Sequence, residues 1–162
     1  MAVLDRRSLL YRAVIIALIP QLATAAPTSH TPRILLICQF GTVKSPIARE
    51  LLKRRAAERH LTVQVAARGI TPQQHVTPEL LERLAREGIN PAAEPLTKLG
   101  PEDIAAADLV IAFDKLPTEY HPRRLEDWSD LPSMLKDYDH ARAVLDKRIV
   151  ALLDHLAHRR RR

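Results

Sequence analysis

Apolar positions along the chain form two kinds of run. Ile34-Leu35-Leu36-Ile37 and Leu109-Val110-Ile111-Ala112-Phe113 are continuous and of strand length, as in strands buried on both faces of a parallel sheet. Elsewhere the apolar residues recur with a helical period. Ile47, Leu51 and Leu52 follow Ser45-Pro46. That spacing predicts a helix to about residue 59, with Ser45 as its N-cap and Arg49, Lys53 and Arg54 on its other faces. Val63 and Val65 alternate with polar neighbours over residues 61–67, a second strand. Thr77-Pro78-Glu79 opens a helix carrying Leu80, Leu81 and Leu84, and Gly88 stops it. A short extended piece at 94–97 precedes a short helix opening at Gly100-Pro101. A long last helix from about residue 139 carries Val144, Leu145, Ile149, Leu152, Leu153 and Leu156. Residues 115–137 lack periodicity and read as a loop of active-site size. Strands alternating with helices predict an α/β domain, its parallel sheet covered on both faces and its ligands at the carboxyl ends of the strands.

The chain before this pattern has another character. Arg6, Arg7 and Arg12 make a basic start, residues 13–19 are apolar, and Ala23-Thr24-Ala25 offers the small residues read by a signal peptidase. Residues 1–26 therefore read as an export signal, and Arg6-Arg7 gives it a twin-arginine look. The apolar run falls well short of the ~20 residues that a membrane-spanning helix needs, so no transmembrane span is expected in the mature chain. The expected organisation is a signal at 1–26, one domain at 27–158 and a basic tail at 159–162, with the mature domain exported, for instance to a periplasm.

At 162 residues, 46% apolar and 27% charged, the chain suits one domain with a real core. Its formal charge of +6 favours acidic partners. No aromatic platform supports nucleic-acid binding. The seven histidines show no metal-ligand spacing, so no metal is expected.

There is one cysteine, Cys38, which excludes an intramolecular disulfide and a Cys-rich metal site. It ends the first predicted strand, and Gln39-Phe40-Gly41-Thr42-Val43-Lys44-Ser45 leads into the first helix. A strand-to-helix loop presents backbone N–H groups beside the positive end of a helix, a seat for phosphate, arsenate or sulfate. The same field favours a thiolate, the form that a nucleophilic cysteine uses. Lys44 adds a positive charge, and the Ser45 hydroxyl can donate to the loop or the sulfur. A buried, inert cysteine beside a surface lysine is the competing reading of the same positions.

Cys38, five residues, then Lys44-Ser45-Pro46-Ile47-Ala48 resembles the signature of the low-molecular-weight protein tyrosine phosphatases and the related arsenate reductases. That signature is Cys, five residues, Arg-Ser, usually with Pro next. Val65-Ala66-Ala67-Arg68-Gly69 is similar to the family's second strand and the turn after it. Glu87-Gly88-Ile89, Leu96-Thr97, Pro101-Glu102-Asp103-Ile104 and Asp108-Leu109-Val110-Ile111-Ala112-Phe113-Asp114 follow its middle segment in order. The likeness is good over residues 33–113 and looser over 128–156. It implies a three-layer fold with a four-stranded parallel sheet and helices on both faces.

The resemblance also implies a reaction. Cys38 would attack a phosphomonoester and form a phosphocysteine, the amides of Gln39, Phe40, Gly41, Thr42, Val43 and Lys44 would hold the phosphate, and Ser45 would ease departure of the thiolate. The expected substrate is a phosphotyrosine protein or a phosphorylated small molecule, with no cofactor. Three departures qualify this. Lys44 stands where the family has Arg, and a lost bidentate contact costs on the order of 2–4 kcal/mol, or roughly 30- to 1000-fold in rate. Phe40-Gly41 replaces Gly-Asn. The family's Asp-Pro, which carries the general acid, is missing. Asp130 is its nearest equivalent, with Asp127, Asp137 and Asp139 as other candidates. These departures favour a second reading, a phosphatase-fold module that binds a phosphorylated partner or oxyanion and turns over poorly. Arsenate reduction through an internal cysteine relay fails for want of a second thiol.

Overall fold

The computed structural model describes residues 30–160; the proposed signal at 1–26 and the last two arginines of the tail lie outside them. Four parallel strands form one sheet in the order β2-β1-β3-β4, with β1 at Arg33–Cys38, β2 at Gln64–Gly69, β3 at Leu109–Ala112 and β4 at Leu125–Asp127. Helices α1 (Lys44–Glu58), α2 (Pro78–Arg86), α3 (Pro101–Ala106) and α4 (Tyr138–Arg160) complete the domain.

The alternation of β1 explains the layering. Ile34, Leu36 and Cys38 face a large core with Ile47, Leu51 and Leu52 of α1, Leu80 and Leu84 of α2, and Leu145, Ile149 and Leu153 of α4. Leu35 and Ile37 face the other way, onto Leu99, Ile104, Ala107 and Val110. The predicted three-layer fold is the one observed. Central strands β1 and β3 are apolar on both faces because both faces are covered.

Several boundaries differ from the sequence reading, each for a physical reason. Strand β4 lies within the predicted loop. It is three residues long, at a sheet edge, with Leu125 exposed, so it has too little apolar surface to announce itself. The extended piece at 94–97 forms no strand, and only Lys98 bridges to Gly69. Strand β2 begins at Gln64, three residues later than expected. Leu81 of α2 is exposed. Ser45 does not cap α1; it sits in its first turn, and the N-cap position belongs to Val43, which offers no side-chain acceptor. Arg49 is buried, not on a solvated face: its guanidinium meets Glu50, Glu94 and the Pro91 carbonyl. Three polar partners make burial of that charge tolerable. Helix α4 continues to Arg160, so the first arginines of the tail prolong it.

The amino edge of the sheet gathers both ends of the described chain. His30 pairs with Asp108 at 2.7 Å, the Arg33 N–H donates to the same carboxylate at 2.8 Å, and Leu156 and Arg159 of α4 line the adjoining hollow. Cys38 is at the opposite, carboxyl edge.

Candidate active site

Strand β1 ends at Cys38 and α1 starts at Lys44, so the chain must wrap back around the sulfur in a few residues. Gly41 makes this possible. Its φ of 72° is left-handed, and a Cβ there would come within 2.9 Å of the Gly69 Cα. Two glycines therefore let the loop rest against the end of β2. The Gly41 N–H donates to Cys38 Sγ at 3.3 Å, and the Ser45 Oγ lies 3.0 Å from the sulfur. Both groups are placed to stabilise negative charge on it.

The loop's carbonyls are turned outward and held. Those of Cys38, Gln39 and Phe40 accept from the N–H groups of Ile70, Thr71 and Gln73 at 3.1, 2.9 and 3.2 Å. The Thr42 hydroxyl donates to the Gln73 carbonyl at 3.0 Å. With the carbonyls clasped, the amides face inward. Those of Phe40, Thr42 and Val43 donate to no protein acceptor among the described residues. Together with the uncapped start of α1 they form a concave row of donors suited to an anion. The Gln39 amide is the exception: it donates to Asp114 Oδ2 at 2.9 Å.

Lys44 runs along the floor of the cleft. Its Nζ donates to the Phe113 carbonyl at 3.2 Å and lies 3.5 Å from Asp114 Oδ1. The Lys44 ammonium is thus fixed at the end of β3 by a carbonyl and a carboxylate. Asp114 was not singled out from sequence, although its place just after a buried parallel strand is the signal that could have found it.

Cys38 is 4% exposed, yet it lines a cavity of about 170 Å³ with Lys44, Asp114, His75, Met134 and Leu135. A larger hollow of about 530 Å³ lies between β2 and α3, but it contains no nucleophile, and chemistry rather than size selects the smaller one. In its lining, the Phe40 and His75 rings meet at a tilt of 47° with centroids 4.8 Å apart. His75, Ser133, Met134 and Leu135 are further lining residues that the sequence reading missed.

Asp130, expected here as the general acid, is elsewhere. It forms a bidentate pair with Arg148 at 2.8 and 2.6 Å on the surface, 70% exposed, and the guanidinium holds its carboxyl below the usual range. The other candidates are also occupied. Asp127 accepts the Ser129 N–H, Asp137 accepts the His140 N–H, and Asp139 pairs with Arg83. The cause is packing: Trp128, Leu131 and Met134 turn into the core, which directs Asp127 and Asp130 outward.

Among the described residues, no group of three or more His, Cys, Asp or Glu side chains is arranged to hold a metal ion, and no helix is long and apolar enough to cross a membrane.

Comparison with known proteins agrees with this geometry. The family model for low molecular weight phosphotyrosine protein phosphatases matches residues 33–150. The protein-arginine-phosphatase of Bacillus subtilis is 30% identical over 109 residues, covering 65% of this chain and 71% of that protein. Among solved structures, a YwlE variant from Bacillus subtilis superimposes with a TM-score of 0.64 at 20% identity, over 78% of this chain and 99% of the other. A low molecular weight phosphotyrosine phosphatase from Vibrio cholerae gives 0.65 at 18% identity, over 79% and 98%. A thioredoxin-dependent arsenate reductase from Corynebacterium glutamicum gives 0.64 at 27% identity, over 80% and 64%.

Proposed function

The chain belongs to the low molecular weight phosphotyrosine protein phosphatase family, and from that premise we propose that Cys38 attacks aryl phosphate monoesters, phosphotyrosine among them. Cysteine-dependent phosphatase chemistry, with a phosphocysteine intermediate, comes with membership; the assignment of roles is the proposal. The phosphoryl group would sit on the inward amides of the loop, with the Lys44 ammonium turning from its carbonyl toward a phosphate oxygen. Cys38 Sγ would attack phosphorus in line with the departing oxygen. When water later displaces the sulfur, the Ser45 hydroxyl would support the returning thiolate.

One observation carries this reading: Cys38 Sγ lies at the base of an open row of unpartnered amides, with the Ser45 hydroxyl 3.0 Å away. The test is hydrolysis of p-nitrophenyl phosphate by the purified protein. Activity should be measurable and should vanish in Cys38→Ser; activity equal in the two proteins would end the phosphatase reading.

The Asp114 carboxylate beside Lys44 favours a second reading, an oxyanion-holding module with slow turnover, because it offsets the positive charge of Lys44 in the cleft. Inorganic phosphate binding without measurable hydrolysis would establish it. A phosphoarginine protein is the second substrate to assay, following the name of the Bacillus relative.

Residues 1–26 are proposed as an export signal that delivers the domain to the periplasm. The support is the basic start, the apolar run and Ala23-Thr24-Ala25. A mature N-terminus near Ala26, found by mass spectrometry of an exported fraction, is the expected result.

A further inference from the structure

A cysteine phosphatase needs a proton for the leaving oxygen, and the acidic side chains predicted for that task are turned away from the cleft. The donor must then come from the groups that line the cavity with Cys38. The Gln39 amide and the Thr42 hydroxyl already donate to Thr71 and to the Gln73 carbonyl, which leaves four lining residues that hold exchangeable protons or could accept one: Lys44, His75, Asp114 and Ser133. Lys44 is the cation of the anion seat. Asp114 already accepts the Gln39 N–H with one oxygen and faces the Lys44 ammonium with the other, so both oxygens receive protons rather than offer one outward. A serine hydroxyl is too weak an acid for this step. His75 differs from all three. Its ring lies tilted against Phe40 in the lining of the Cys38 cavity, and its nitrogens make no hydrogen bond among the described residues.

We propose that His75 is the general acid–base of this phosphatase, in the role that Asp130 does not fill. This rests on the phosphatase reading above. In the first step the Sγ–P bond forms and the P–O bond to the leaving group breaks, while the imidazolium proton passes to the leaving oxygen. The products are a neutral alcohol, a phosphocysteine and a neutral imidazole. In the second step water attacks phosphorus and gives a proton to that imidazole. The S–P bond breaks, inorganic phosphate departs and the Cys38 thiolate returns. Imidazole suits both halves because a ring nitrogen can give a proton and, once neutral, take one back. The tilted contact with Phe40 ties its position to the loop that carries the nucleophile.

The experiment measures kcat/KM of the full chain for a series of aryl phosphates, from p-nitrophenyl phosphate to phenyl phosphate. Three variants are compared: His75→Asn, His75→Phe, which keeps a ring against Phe40, and Asp130→Asn. A leaving group that departs easily needs little protonation. Both His75 variants should therefore lose roughly 100-fold on phenyl phosphate and only a few-fold on p-nitrophenyl phosphate, while Asp130→Asn follows the wild type. An equal loss on both substrates, no loss on either, or a wild-type series already as steep as the variants' overturns the role of His75. A wild type no better than Cys38→Ser on p-nitrophenyl phosphate overturns the phosphatase reading instead, so the two failures are distinct.

Discussion

The Cys38 loop and the segment spanning residues 125–137 border the same cleft, yet they are held in opposite ways. The loop is fixed by its own backbone: three carbonyls clasped by residues 70–73, and a glycine pressed on a glycine. The later segment is fixed by apolar anchors, Trp128, Leu131 and Met134, with Phe113 edge-on to Trp128 at 5.8 Å. Its carboxylates are left to pair with whatever the surface provides. The contrast teaches that a backbone-built site survives changes of side chain, whereas a side-chain acid is lost as soon as the residues around it repack.

The strongest way to break this comparison is to remove the nucleophile. Cys38→Ser should lower kcat on p-nitrophenyl phosphate by roughly 1000-fold or more with the fold intact by circular dichroism. Next in size is Gly41→Ala. A methyl group at φ 72° and 2.9 Å from the Gly69 Cα should cost about 2–3 kcal/mol in urea unfolding and lower turnover as the amides move. A variant as stable and active as the wild type would show that the loop is not set by this contact. Lys44→Arg should raise kcat by roughly 30-fold or more if a bidentate grip is all that is missing; a fall would mean that the carbonyl and carboxylate around Nζ have tuned the floor to an ammonium.

Smaller effects sharpen the other side. Tyr138 follows the later segment at the start of α4, and its buried hydroxyl has no hydrogen-bond partner. Burial pushes its phenol up to about 12, and the nearby Glu87 carboxylate adds to this from outside hydrogen-bond geometry. A folded-state value above the unfolded one near 10 means that the folded form holds the proton more tightly. Its stabilising contribution is complete below pH 10 and is lost as pH rises toward 12. Tyr138→Phe should raise stability at pH 7 by about 1 kcal/mol, keep the Arg83 contact over the ring, and flatten the alkaline loss in urea melts. Smallest of all, Arg148→Ala should leave kcat unchanged and stability nearly so, because Asp130 is solvated. A rise in turnover would mean that Asp130, once released, reaches the cleft after all.

How much was legible in the sequence follows the same division. The run of Ile34 to Ile37 and the spacing from Cys38 to Ser45 are local signals, and the strand and the loop stand where those signals put them. Thr77 capping α2 through the Leu80 N–H is another. What could not be read depended on partners distant in sequence. Arg49 looked like a solvated charge until Glu94 and Pro91 folded over it. The direction of Asp130 depended on Arg148 of another element. Ser45, a good cap by type, serves the sulfur and the Arg68 carbonyl instead, because the end of β2 comes close enough to compete.

The parallel sheet gives the molecule two poles. His30 and the end of α4 share one, and Cys38 opens at the other, a six-residue strand or roughly 17 Å of β1 away. A resin, a fluorophore or a fusion partner attached beside His30 or at the described end of α4 therefore hangs from the back of the molecule. Handles for immobilisation or imaging can be chosen freely there, without screening the mouth from a bulky protein substrate.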